Sequence, residues 1–292
     1  AALFMAIRMS VLQNMGDTDT GVTGLLQNPL SVQGGFIERL ATGAKIQLLY
    51  FSKMLVPINL SHDYSYNAIS VEGFSSMKAI LGALTVAGLI TIAIIGLIKQ
   101  KLYAFGILFY FITISAVSNV FILIGAMAAE RFVFAPSLGL ILAAVVFGNE
   151  FIKNKTVQKS IVIGCTGVFA FLTVTRTSDW KDNYTLYSAD IDIVNESARA
   201  HYNLATAQNE KARTSPKEAA QLRKEAASHF SEAISIFPEY QDAYNNLSIV
   251  YMESGQFQRS IEVLQQMLEK YPNYTKAYYN LAVSAFNIQD YQ

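Results

Sequence analysis

Four uncharged apolar stretches follow one another between residues 79 and 175, and they constrain the fold more than any other feature. A helix needs about 20 apolar residues to cross the hydrocarbon core of a bilayer. A soluble protein would have to bury all four stretches, which is difficult for a chain of 292 residues. We therefore predict a transmembrane domain over residues 79–176, with helices at about 79–98, 102–126, 132–149 and 160–175.

The charges of the connecting loops predict how these helices are oriented. The loop after the first helix holds two lysines and the loop after the third holds three, whereas the loop between the second and third holds only the pair Glu130–Arg131. Lysine and arginine concentrate in cytoplasmic loops. The Glu130–Arg131 loop is therefore predicted to be extracytoplasmic, and so is everything after Arg176.

An internal repeat of 34 residues occupies the polar last part of the chain. Pro238 recurs as Pro272, and the pair Asn246–Leu247 recurs as Asn280–Leu281. This period is typical of the tetratricopeptide repeat, a pair of helices that stacks into a solenoid. We expect an all-α chain, in which a polytopic membrane bundle precedes an extracytoplasmic repeat solenoid.

The repeats are predicted at about 199–238, 239–272 and 273–292, the last one truncated, after a linker helix at 177–198. The first copy is longer than the second because of an insertion near Glu210–Lys224, which is expected to lengthen its helices or its turn. Such repeats bind peptides or pack against neighbouring domains.

Residues 1–78 are predicted to contain the end of a preceding helix, a loop and then a helix at 36–57. That helix is apolar but carries four charged residues, including Arg39, which disfavours direct exposure to lipid. It is either an amphipathic helix at the membrane surface or packed on the bundle, or it is a span whose charges face the bundle. A polar loop follows at 58–76 and is expected on the extracytoplasmic side.

Composition narrows the class of function. The formal net charge is zero, which argues against a nucleic-acid partner. The single cysteine, Cys165, lies in a predicted transmembrane helix, so neither a disulfide framework nor a thiolate metal site is expected. The sequence also lacks a phosphate-binding glycine loop and the spacing of a zinc site.

A few charged residues are candidates for a binding site. Arg131 could bind a phosphate while the adjacent Glu130 holds it, because the planar guanidinium matches phosphate oxygens; the pair could equally be an anchor at the membrane surface. His62 and Asp63 lie in the 58–76 loop, either facing a substrate or within a solvated aromatic belt. Two acids of the 14–35 loop either face a substrate or only form turns: Asp17 and Asp19.

Several stretches together resemble the transmembrane and tetratricopeptide-repeat O-mannosyltransferases and their bacterial relatives, which are GT-C glycosyltransferases. The stretches are, in order, Gln27–Asn28–Pro29, Leu60–Ser61–His62–Asp63–Tyr64–Ser65, Ala129–Glu130–Arg131–Phe132, Pro136–Ser137–Leu138–Gly139, and Arg176 with Trp180.

The resemblance implies a membrane enzyme that moves a sugar from a polyprenyl-phosphate carrier to a Ser or Thr of an extracytoplasmic protein. The repeats would present the acceptor protein. Arg131 with Glu130 would bind the carrier phosphate, and Arg39, His62 and Asp63 would line the same face. The resemblance also implies that the catalytic acids lie in an external loop upstream of this sequence.

Two other functions fit the sequence. The chain could be a non-catalytic, membrane-anchored repeat scaffold for an envelope assembly, or a transporter that uses Ser115, Ser118 and Asn119 at mid-bilayer. The composition suggests a bacterial inner-membrane protein with repeats in the periplasm; in a eukaryote the same side would be the lumen of the endoplasmic reticulum.

Overall fold

The structure is a computed structural model that describes residues 22–290, and within that range every regular element is a helix. The helices of the first part are α1 (Val22–Gln27), α2 (Phe36–Leu55), α3 (Met77–Ile98), α4 (Leu102–Ser115), α5 (Phe134–Phe151) and α6 (Lys155–Thr177). The later helices are α7 (Asn183–Asp190), α8 (Ala198–Thr214), α9 (Ala219–Ile236), α10 (Gln241–Glu253), α11 (Phe257–Lys270) and α12 (Thr275–Asp290). Short 3₁₀ helices lie at Pro29–Ser31, Glu130–Val133 and Ser178–Lys181.

Within residues 22–290, three segments are long and apolar enough to cross a membrane: Met77–Ile98, Glu130–Phe151 and Lys155–Lys181. They correspond to the first, third and fourth predicted transmembrane helices. Helix α2 is also close to its predicted extent. It is packed on the bundle, because Ala41, Ile46 and Tyr50 are buried.

The predicted second transmembrane helix needs correction, because α4 ends at Ser115 rather than near residue 126. Asn119 explains the difference. Its backbone is left-handed, with φ of 57°, and its side-chain amide donates to the carbonyls of Ala126 and Met127, each at 2.9 Å. Its side-chain oxygen accepts from the Ile124 N–H at 2.9 Å. This one side chain satisfies the backbone of an apolar but irregular segment, which would otherwise be costly to bury.

Two glycines allow the bundle helices to approach closely. A Cβ atom at Gly139 on α5 would overlap the Gly106 carbonyl on α4, and a Cβ at Gly106 would overlap the Gly139 carbonyl. Small residues of this kind permit tight helix packing in membranes. The crossing of α4 and α5 therefore depends on the absence of side chains at both positions.

The loops separate into two ends of the bundle. At one end, Lys101 in the loop between α3 and α4 forms an ion pair at 2.7 Å with Glu150 in the last turn of α5. At the opposite end, Arg176 pairs with Asp190, and the 58–76 loop contacts the repeats. The 58–76 loop and the repeats therefore lie at the same end of the bundle.

The repeats form antiparallel helix pairs, α8–α9 and α10–α11, followed by α12. In the first pair the helices have 17 and 18 residues, compared with 13 and 14 in the second. This confirms that the insertion lengthens the helices of the first repeat. Gly255 makes the turn of the second repeat with φ of 70°, a conformation that glycine adopts without strain.

The first repeat packs directly on the membrane part. The Tyr66 ring lies 5.2 Å from the Phe237 ring, and the Tyr66 carbonyl accepts from the Ala198 N–H at 2.8 Å. The predicted linker helix at 177–198 is replaced by the 3₁₀ turn at Ser178–Lys181 and the short helix α7. These fold back so that the end of α7 reaches the 58–66 segment.

Candidate functional site

The charged residues of interest meet where the 58–66 segment, the Glu130–Val133 turn, the end of α6 and the end of α7 come together. We call this the junction site, and its charged and hydrogen-bonding members are Ser61, His62, Tyr64, Glu130, Arg131, Arg176, Asp179 and Asp190. It lies beside the first repeat and at the end of the three long apolar helices.

Asp190 is the centre of the junction site and is 1% exposed. Its carboxylate accepts from the His62 backbone N–H at 2.8 Å and from the His62 ring Nδ1 at 2.7 Å. The Arg176 Nη2 atom donates to the other carboxylate oxygen at 2.5 Å. Because an ionised carboxylate can only accept, the proton of the imidazole is at Nδ1 in this arrangement.

The local sequence explains why Asp190 is held there. Asp182 caps the start of α7 by accepting from the Thr185 N–H at 2.8 Å, which fixes the beginning of this eight-residue helix. Asp190 is the last residue of α7, so the short helix delivers its carboxylate to the 58–66 segment. The His62 ring also packs on Tyr187, one turn earlier in α7, at 4.9 Å between centroids.

The pKa of the Asp190 carboxyl lies below its ordinary value. Burial alone would raise this pKa, but the hydrogen bonds from His62 and the charge and hydrogen bond of Arg176 outweigh it. Asp190 is therefore ionised at neutral pH. Arg176 also donates to Asp179 at 3.0 Å, so its guanidinium is shared between two carboxylates.

Glu130 faces the 58–66 segment and not its neighbour Arg131. Its Oε1 atom accepts from the Tyr64 hydroxyl at 2.7 Å and from the Ser61 N–H at 3.0 Å. Burial and the Glu130 carboxylate raise the pKa of Tyr64, so the phenol stays protonated and donates. The hypothesis that Glu130 holds Arg131 is therefore wrong: in the described part of the chain no ion pair joins them.

Arg131 is exposed at the edge of the junction site. Its Nη1 atom donates to the His62 carbonyl at 3.2 Å, and its guanidinium lies 5.2 Å from the centroid of the Phe132 ring. Within residues 22–290 no carboxylate pairs with it, so most of its donors face outward. An exposed guanidinium fixed by one hydrogen bond and one ring can bind an anion with its remaining N–H groups.

The other predicted site residues have different surroundings. The Asp63 carboxylate accepts from the Ser65 hydroxyl and does not reach Asp190. On α2, the Tyr50 hydroxyl accepts from the N–H of Ala129, the residue before Glu130. Arg39 lies about three turns earlier in the same helix, roughly 16 Å away along the helix axis. The structure thus brings His62, Glu130 and Arg131 together and leaves Arg39 apart. Asp17 and Asp19 lie outside the described residues.

Sequence reasoning missed Asp190 and Tyr64 as site residues and treated Arg176 only as a boundary and a point of resemblance. Asp190 lies 128 positions after His62, and no local pattern distinguishes it from the neighbouring Asp192. The one signal in the sequence that could have indicated Asp190 is the helical period of the short segment that forms α7. Among the described residues, no group of three or more His, Cys, Asp or Glu side chains is arranged to hold a metal ion.

Comparison with known proteins supports both halves of the prediction. Residues 219–291 match the tetratricopeptide repeat model. The chain is 28% identical over 222 residues to protein O-mannosyl-transferase F38B6.6 of Caenorhabditis elegans, covering 74% of this chain and 30% of that protein. It is 24% identical over 232 residues to protein O-mannosyl-transferase TMTC1 of Mus musculus, covering 75% of this chain and 24% of that protein.

A third relative, protein O-mannosyl-transferase TMTC4 of Homo sapiens, is 27% identical over 109 residues, 36% of this chain and 15% of that protein. The resemblance to this group of proteins is therefore confirmed at low identity. The chain spans less than a third of the length of these relatives.

Proposed function

We propose that this chain is part of a membrane glycosyltransferase that moves a mannose-like sugar from a polyprenyl-phosphate carrier to a Ser or Thr of an extracytoplasmic protein. The names of the relatives support transfer of mannose to protein. The three long apolar helices support a membrane location, and a GT-C type of bundle would be consistent with them.

The observation that carries the proposal is the position of Arg131. It lies at the start of the apolar segment Glu130–Phe151, at the height where the headgroup of a membrane lipid would lie. Its guanidinium has free donors within residues 22–290 and is oriented by the His62 carbonyl. A lipid-linked phosphate at this height would accept from the outward N–H groups of Arg131.

In the proposed reaction the acceptor hydroxyl attacks the anomeric carbon of the sugar, and the bond from that carbon to the carrier phosphate oxygen breaks. The phosphate leaves with the bonding electrons, and Arg131 stabilises the negative charge that develops on it. The hydroxyl proton passes to a carboxylate base, which the resemblance assigns to a preceding external loop.

The buried acid of the junction site, Asp190, is unsuited to be that base. Asp190 already accepts from both His62 and Arg176, and its pKa is lowered, so it is a poor proton acceptor. Glu130 accepts from Tyr64 and Ser61. We assign both a positioning role: they fix the 58–66 segment, and through the His62 carbonyl they fix Arg131.

The repeats would present the acceptor protein close to the carrier. The Tyr66–Phe237 contact holds the first repeat against the same loop that contains His62, so acceptor and donor would approach the junction site from adjoining surfaces. The proposal places this face outside the cytoplasm, which is the periplasm in a bacterium and the lumen of the endoplasmic reticulum in a eukaryote.

The proposal can be tested with the full-length protein, a labelled polyprenyl-phosphate sugar and an acceptor peptide. Arg131→Ala is expected to lower kcat/KM by about 100-fold or more, because one preorganised donor to a developing oxyanion contributes on that scale. Arg131→Lys should retain part of the activity, since the charge remains while the forked geometry is lost.

Lys181→Ala is the matched control, because this exposed cation lies at the same end of the bundle but outside the junction site. All three variants should melt within a few degrees of the wild type, since both side chains are exposed. Full transfer by Arg131→Ala would eliminate the phosphate site and would favour the scaffold function instead.

A further inference from the structure

A groove of about 710 Å³ lies on the repeats, between α9 and the turn that joins α10 to α11. We call it the repeat groove. Its floor is formed by small or apolar side chains, among them Ala220, Ala227, Ser231, Val250 and Tyr251. The small residues of α9 leave the space open, and Gly255 turns the chain sharply at its far end. The groove is thus wide enough to hold a peptide segment.

The charged lining of the repeat groove is mainly positive. Three cations, Arg223, Lys224 and Arg259, line it together with one carboxylate, Glu253. Glu253 is already engaged by Arg213, which lies just outside the lining and donates to Oε1 at 2.7 and 3.0 Å. The whole chain has a formal net charge of zero, so this concentration of cations is not a consequence of composition.

These cations are poorly neutralised by the protein. Among the described residues, no hydrogen bond is made to the buried Arg223 Nε atom or to the Glu253 Oε2 atom, which lies 3.6 Å from it. Lys224 is exposed, and no carboxylate in residues 22–290 pairs with it. In the described part of the chain, the Arg259 guanidinium donates only to the Gln256 side chain, at 2.8 Å, and lies 6.0 Å from the centroid of the Tyr251 ring.

We propose that the repeat groove binds an acidic segment of a partner protein. Carboxylates of the segment would pair with Lys224, Arg259 and the outward edge of Arg223, while its apolar atoms would lie on Val250 and Tyr251. A concave site with an apolar floor suits an extended or helical peptide better than the surface of a lipid bilayer. This partner site is separate from Arg131 and does not depend on the proposed transfer reaction.

The test is a fluorescence polarisation measurement on the full-length protein in detergent micelles, without any sugar donor. The probe is a fluorescein-labelled ten-residue peptide of alternating Glu and Ser, and peptides of Lys–Ser and Gly–Ser serve as charge controls. We expect only the acidic peptide to bind, with a Kd that rises with salt.

The discriminating variant is Lys224→Glu/Arg259→Glu, because both side chains are exposed and their reversal should not affect folding. It is expected to weaken binding about tenfold or more. The matched control is Lys270→Glu/Lys276→Glu, which reverses two exposed lysines of α11 and α12 outside the groove and should change the Kd less than about twofold.

Equal binding by both double variants, or equal binding of the three peptides, would overturn the proposal. So would a result in which the groove variant loses affinity for phosphatidylglycerol vesicles but no acidic peptide binds, since that would identify a lipid surface. Arg131→Ala should bind the acidic peptide normally, so failure here and failure of the proposed transferase function can be told apart.

Discussion

Replacing Asp190 with Asn should destabilise the protein, because this buried carboxylate joins the end of α7 to the end of α6 and to the distant 58–66 segment. Asn has nearly the same shape, so the change removes charge and one acceptor without leaving a cavity. The amide oxygen can retain the bond from the His62 backbone N–H. Because the His62 ring donates to the same oxygen, that bond is retained too, and the amide NH₂ group would then face the Arg176 guanidinium, which is also a donor.

The magnitude follows from the bonds that are lost. The charge-assisted hydrogen bond from Arg176 disappears, and the two bonds from His62 no longer have an ionised acceptor. A hydrogen bond to a charged group is worth about 1.5–3 kcal/mol and a neutral one about 0.5–1.5 kcal/mol. Arg176 keeps Asp179 at 3.0 Å, so its charge is not left without a partner. We therefore expect a loss of about 3 kcal/mol, which for a chain of this size lowers the Tm by roughly 6–12 °C.

Thermal unfolding of the purified protein in detergent, followed by tryptophan fluorescence or by loss of monodisperse protein, measures this change. Asp192→Asn is the matched control, because it makes the same substitution two residues away at an exposed position. The control is expected to stay within about 0.5 kcal/mol of the wild type.

The pH dependence gives a second, independent check. The folded pKa of Asp190 lies below its ordinary value of 3.8. The stabilisation is therefore fully present above the unfolded pKa and is lost as the pH falls through the folded pKa. The difference between wild type and Asp190→Asn should therefore shrink below about pH 4.

A loss no larger than that of Asp192→Asn would refute the reasoning, because the Asp190 network would then contribute nothing measurable.

Two further substitutions test other parts of the fold. Gly139→Val should cost about 1–3 kcal/mol by forcing α5 away from the Gly106 carbonyl, measured as a lower Tm in detergent, whereas Gly148→Val on the same helix meets nothing within 4 Å and should not destabilise. Glu72→Gln removes the 2.5 Å ion pair with Lys45 and should cost about 1 kcal/mol at pH 7, allowing for solvent screening. The pKa of Glu72 is lowered to about 2 by the Lys45 and serine hydrogen bonds, so urea unfolding should show this cost unchanged above pH 5 and vanishing as the pH falls from 4.5 towards 2.

The long uncharged apolar runs of the sequence predicted most of the helices of the membrane part, because such a run of about 20 residues has few alternatives to a helix in a membrane. The same logic failed for residues 116–126. Their composition is as apolar as that of the flanking helices, yet the side chain of Asn119 supplies the hydrogen bonds that a helical backbone would otherwise provide. A single polar residue in an apolar run is weak evidence, and its effect depends on a tertiary contact: Asn28 donates to the same Asn119 at 2.9 Å.

The repeats were predictable for a different reason. Each copy is a local unit, so the recurrence of Pro238 at Pro272 reports directly on structure. The junction site is not local. His62 and Arg131 could be placed on the same side of the bundle from the loop charges, but the acid that fixes them comes from a segment that looked like a linker. Contacts between residues more than 100 positions apart cannot be predicted from the periodicity or the composition of a single sequence.

The same geometry links the two halves of the molecule. Arg131 is oriented by the His62 carbonyl, His62 is held by Asp190, and Asp190 ends the helix that leads into the first repeat. Four residues beyond His62, the carbonyl of Tyr66 accepts from the first residue of α8. The 62–66 segment is therefore bonded at one end to the residue we assign to the carrier phosphate and at the other to the repeats we assign to the acceptor. Its rigidity follows from these bonds, because each end is tied to a different helix. A segment fixed in this way can hold donor and acceptor sites at a constant separation, which transfer between two large substrates requires.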